Sequence, residues 1–155
     1  MRNKIGLLLI GLYLMYQLLP EQPGFIDGLQ QIRGYKNWSG FALFLLVLAQ
    51  WSVSVYRGVF NASGPNLEKA YQLHYWIGSL APLVFFIHSP KPDYGMLLLL
   101  AILFFSNSLL GIVLQHPSVV RRGVIKQVGI GIHVLASTVI LALILLHIWT
   151  VFSFN

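Results

Sequence analysis

Cysteine is absent from the 155 residues, and acidic side chains number only four against ten Lys and Arg. The missing thiols exclude disulfides, thiolate catalysis and Cys-ligated clusters. Charged residues together make up 9% of the chain while 57% are hydrophobic, a balance far from that of soluble domains. No basic patch is interleaved with aromatic residues as nucleic-acid binding requires, so a nucleic-acid partner is not expected. There is no low-complexity segment, second domain or soluble catalytic module, and no catalytic residue is assigned.

What remains is apolar sequence. Five stretches, 5–19, 38–56, 73–87, 95–115 and 128–152, contain no Asp, Glu, Lys or Arg. They imply an all-α integral membrane protein, a single domain over 1–155 with about five transmembrane helices near 4–20, 38–56, 70–88, 95–115 and 127–152. The first is short, since 5–19 rises roughly 22 Å as a helix against a bilayer core of about 30 Å. Lys4 can extend it by snorkelling. No small-x-small cleavage pattern precedes Pro20, so the segment reads as an uncleaved anchor.

Lys and Arg favour the cytoplasmic side. Arg2, Lys4, Arg57, Lys69, Arg121, Arg122 and Lys126 fall on one face of the expected bundle, and only Arg33, Lys36 and Lys91 on the other. The N-terminus is therefore expected inside and the C-terminus outside, with a bacterial inner membrane as the location. Asn61 fits a glycosylation acceptor pattern but falls on the inner side, where that pattern is irrelevant.

The histidines carry the chemistry. His74 and His88 are fourteen residues apart, and so are His133 and His147. Fourteen steps of about 100° come within about 40° of whole turns, so each pair shares a helix face, spread over roughly 21 Å of axis. The two helices are separated by one other span and run in the same direction. His74 then matches His133 in depth near the inner side, and His88 matches His147 near the outer side. Two imidazoles cannot complete a tetrahedral zinc site, and these stretches hold no carboxylate or thiol to help. A haem supplies four equatorial nitrogens of its own, so one axial histidine from each helix completes six-coordinate iron. The expected bundle thus encloses two stacked b-type haems, His74 with His133 and His88 with His147. Lone histidines near helix ends are also commonly interfacial, and the repeated interval is what sets these four apart. His116 has no partner at that interval and is expected to lie at an interface near the carbonyls that end a helix.

Gly78 lies one turn after His74 and Gly129 one turn before His133, with Gly131 beside it, where a flat macrocycle needs clearance. Glycine also serves helix packing alone in membranes. Ala81, Phe85, Ile140 and Ile144 fall on the ligand faces between the two haem depths. Phe85 is the one to fill the gap, and ordinary packing is the other reading of all four. The basic residues of each face can pair with haem propionates or lipid headgroups.

The segments "LHYWIGSLAPLVFFIH" and "IHVLASTVILALILLH", with "RRGVIKQ" leading into the second, resemble the ferric reductase-like membrane domain shared by metalloreductases and NADPH oxidases. The resemblance covers roughly 57–155. It implies that His74, His88, His133 and His147 ligate haem and that electrons flow from inside to outside. Members typically add a sixth helix and a cytosolic flavin and nicotinamide domain, whereas this chain ends eight residues after His147. It looks more like short bacterial relatives that take electrons from a separate donor, such as the haem-binding membrane partner of periplasmic methionine sulfoxide reductase.

The expected function is a di-haem cytochrome b that carries electrons from a cytoplasmic-side donor, a flavoprotein or quinol, to an outer-side acceptor. It is a redox subunit, catalytic only with partners in a larger membrane complex. Quinone-linked cytochrome b anchors share the four-histidine plan, so a dehydrogenase anchor is an alternative. A non-redox structural or assembly subunit is another.

Overall fold

A computed structural model of the chain describes residues 2–19, 24–60, 63–92, 94–121 and 123–154. Pro20, Asn61 and Arg122 lie outside the described residues. Among those described there are eight helices and no strand. In chain order they are α1 (Arg2–Gln17), α2 (Phe25–Gln30), α3 (Arg33–Gln50), α4 (Ser52–Gly58), α5 (Pro65–His88), α6 (Met96–Val113), α7 (Pro117–Val120) and α8 (Gly123–Ser153). They form two compact units, Met1–Lys91 and Pro92–Asn155.

Three helices are long and apolar enough to cross a membrane: the α3–α4 run Arg33–Gly58, α6 and α8. The sequence suggests five. At 16 residues α1 rises only about 24 Å and falls short in length. With 24 residues α5 is long enough, but His74, His88, Gln72, Ser79 and Pro82 dilute its apolar character.

Helix boundaries follow local chemistry. α5 begins five residues earlier than expected because Pro65 occupies its first turn, where the missing N–H costs nothing. The preceding Gly64 takes φ +64°, a conformation that favours glycine, and Gly95 does the same before α6. The expected 38–56 helix starts earlier, at Arg33, and breaks at Trp51, whose N–H reaches back three residues to the Leu48 carbonyl. Pro82 sits inside α5 and is fully buried. Its ring crowds the carbonyl four residues back, which belongs to Gly78.

In the first unit α5 is central, with α1 on one flank and α3 and α4 on another. Ala70, Ser79, Ala81, Pro82 and Phe85 form its buried side. Phe85 meets Tyr13 of α1 edge-on at 5.8 Å, and Phe86 meets Tyr16 likewise at 4.9 Å. The C-terminal carbonyls of α5 lack intrahelical donors and are met by side chains from two other helices. Gln30 Nε2 donates to Ile87 O at 3.0 Å and to His88 O at 2.9 Å, and the Tyr35 hydroxyl donates to Ile87 O at 2.9 Å. Gln17 Nε2 donates to Pro90 O at 2.5 Å just beyond the helix.

In the second unit α6 and α7 pack on α8. Close approach is by small residues: a Cβ at Gly129 would lie 2.5 Å from Leu114 Cδ2. Elsewhere α8 presents Ile132, Leu135, Leu145, Trp149 and Phe152, each more than half exposed. Apolar surface on this scale suits contact with hydrocarbon, where helix backbone is already satisfied.

Candidate functional site

All four singled-out histidines are half-buried on two helices, His74 and His88 on α5 of the first unit, His133 and His147 on α8 of the second. Each pair keeps the fourteen-residue interval within one unbroken helix, so each helix carries two imidazoles on one side.

The α5 pair is held by α3. His74 Nδ1 lies 2.9 Å from the backbone carbonyl oxygen of Gln50. A carbonyl only accepts, so Nδ1 carries the proton and the lone pair is on Nε2. Gln50 closes a second bond in the opposite sense, Nε2 donating to His74 O at 3.3 Å. The residue that holds His74 is also the last of α3, directly before the break at Trp51.

His88 has a parallel arrangement with a different acceptor. Its Nδ1 is 3.2 Å from Ser39 Oγ, and that hydroxyl donates its one proton to Lys36 O at 3.2 Å. With that proton on Lys36 O, Ser39 Oγ is placed to accept from the His88 tautomer that carries its proton on Nδ1, whose lone pair is on Nε2. Next to it, a Cβ on Gly40 would lie 2.9 Å from His88 Cε1. The imidazole edge thus occupies the space that glycine leaves. Ser39 and Gln50 are eleven residues apart, within about 20° of three whole turns, and so occupy one stripe of α3.

In the second unit His133 packs closely on α6. A Cβ on Gly111 of α6 would lie 3.2 Å from His133 Cε1. Ser137 Oγ donates to His133 O at 2.8 Å and accepts from Asn107 Nδ2 at 2.9 Å. Asn107 Oδ1 is buried with no hydrogen-bond partner. Near the other end of α8, Thr150 Oγ1 donates to His147 O at 2.8 Å.

The remaining sequence candidates have plain neighbours. Gly78 faces the Gln50 side chain, its absent Cβ 3.6 Å from the amide, and Gly129 faces Leu114. Phe85 rests on Tyr13. Ile140 and Ile144 are buried. Arg57 Nη1 donates to the Tyr71 hydroxyl at 3.2 Å. His116 does not lie against the carbonyls that end α6; it caps the start of α7, its Nδ1 accepting from the Ser118 N–H at 3.4 Å and lying 2.7 Å from Ser118 Oγ. Among the described residues no three His, Asp or Glu side chains gather as a protein-only metal site.

Sequence reasoning missed Ser39, Gly40, Gln50, Asn107, Gly111 and Ser137. The signal was present for two of them: Ser39 and Gln50 are isolated polar residues at helical spacing in an apolar stretch. No family model, curated protein or solved structure compared with the chain matches it.

The donor set fits an axially ligated haem. Metal-bound histidines generally donate the second ring N–H to a carbonyl or another oxygen, which fixes the tautomer and orients the ring. His74 does so to the Gln50 carbonyl, and Ser39 Oγ lies 3.2 Å from His88 Nδ1, where it can accept in the same way.

Proposed function

We propose that this chain is a transmembrane electron-transfer cytochrome b holding two haems, one between His74 and His133 and one between His88 and His147. Haems held by these four residues would supply one-electron carriers at two depths of the bilayer. The observation that supports this most is the Gln50 carbonyl at His74 Nδ1, which leaves that ring's lone pair on Nε2, with Ser39 Oγ placed to accept in the same way at His88 Nδ1. The matched interval on α8 supplies the second axial residue for each.

In this reading α1 and α5 join the three apolar helices as spans. α5 tolerates His74, His88 and the buried Ser79 because they face protein and cofactor instead of lipid. α3 orients the two α5 imidazoles, and Gly111 makes room for that of His133. The N-terminus lies on the cytoplasmic side of a bacterial inner membrane and the C-terminus on the outer side. A separate flavoprotein or quinol delivers electrons on the inner side, and an acceptor collects them outside. Reduced-minus-oxidised visible spectra of the purified protein test the proposal. A low-spin b-type signal that drops by half in His88→Ala supports it. A colourless protein would favour a structural or assembly subunit.

A further inference from the structure

α3 meets the two histidines of α5 with unequal acceptors. His74 Nδ1–H points at an amide carbonyl 2.9 Å away. With Nε2 of His88 as the ligating atom, its Nδ1 carries the proton and faces a hydroxyl oxygen 3.2 Å away, which has Lys36 O at 3.2 Å as the acceptor for its own proton. An amide oxygen is the better acceptor, and the shorter bond polarises the N–H more. Withdrawing that proton raises the electron density at Nε2 of the same ring, so the imidazole becomes a stronger donor to whatever it ligates. Stronger axial donation stabilises ferric over ferrous iron and lowers the reduction potential.

We propose that α3 grades the two α5 ligands, the Gln50 carbonyl making His74 the stronger donor and Ser39 leaving His88 the weaker, so that the His74 end of the conduit is the more reducing. The inference rests on the haem reading above. It gives the conduit a downhill sense, from the His74 depth to the His88 depth, out of hydrogen bonding alone. Ser39 and Gln50 are positioning residues here, because they act through the imidazoles. Gly40 belongs to the same device. With a Cβ 2.9 Å from Cε1, any larger residue would turn the His88 ring away from the line to Ser39 Oγ.

The test is a potentiometric titration of the full-length protein in detergent, followed at the haem bands. Wild type should titrate in two waves. Ser39→Ala removes the acceptor and should shift only the higher wave, to still higher potential. Ser39→Thr keeps a hydroxyl and should restore the wild-type position. Both waves unmoved in a haem-loaded Ser39→Ala protein would overturn the inference and leave the haem reading standing, whereas a haem-free wild type would overturn both. Histidine-labelled NMR of the full chain prepared without haem gives a readout that does not depend on Ser39→Ala assembling. The Nδ1 proton of His74 should resonate downfield of that of His88, and equal or reversed shifts would overturn the grading.

Discussion

The two units hold their histidines in different ways. In Met1–Lys91 the imidazoles of α5 are fixed by directed hydrogen bonds to α3, from His74 to the Gln50 carbonyl and from His88 to Ser39. In Pro92–Asn155, His133 sits against Gly111, and the polar contacts nearby go to its backbone carbonyl through Ser137 and Asn107. A hydrogen bond at the ring fixes tautomer and electronic character, and a glycine notch fixes the position of the ring edge. On the proposed reading each haem would thus have one electronically tuned ligand from α5 and one from α8.

The comparison can be broken in several ways, beginning with the ligands themselves. Replacing His74 or His147 with Ala should remove one haem and halve the b-type absorbance per chain. On the proposed pairing these residues serve different haems, so the double variant should be colourless. Retention of full absorbance in either single variant would show the pairing to be wrong.

Next come the two glycine contacts. Gly40→Ala forces a methyl into the His88 ring and should destabilise the protein by about 1–3 kcal/mol, the usual range for overpacking. Gly111→Ala, with its Cβ at 3.2 Å from the His133 ring, needs a smaller adjustment and should cost less. Gly11→Ala is the control. Nothing lies within 4 Å of its Cβ, and the gain in helix propensity should stabilise by up to about 1 kcal/mol. Thermal unfolding of the three in detergent checks the order, and a Gly40→Ala variant as stable as Gly11→Ala would contradict the notch.

Smaller effects separate side chain from backbone. Gln50→Ala removes only the bond to His74 O, since the ring is held by the main-chain carbonyl. It should cost about 0.5–1.5 kcal/mol and leave the haem spectrum unchanged. Asn107→Leu loses the bond to Ser137 but also removes the buried, unpartnered Oδ1, so the net change should stay within about 1 kcal/mol. Denaturant or thermal unfolding measures both.

Much of the helical layout was legible because apolar runs free of charge leave few alternatives in a chain this poor in polar residues. What was misjudged has local causes. α5 reaches back to Pro65 because a proline suits the first turn of a helix, although Glu68 and Lys69 made that turn look like a loop. The break at Trp51 leaves no mark in composition. The histidine pairs could be found from spacing alone, since both α5 and α8 continue unbroken through them. The cradle could not, because which glycine faces which ring depends on how neighbouring helices pack. Gly78 and Gly129 stand closest to the histidines in sequence, yet the residues against the rings are Gly40 and Gly111, from other helices.

An experimental density map of the purified protein puts the central claim to the most direct test. The account predicts a macrocycle whose iron is bound by Nε2 of His74 and of His133, with His74 Nδ1 still on the Gln50 carbonyl. Ligation through Nδ1, or imidazoles with no porphyrin between them, would contradict it.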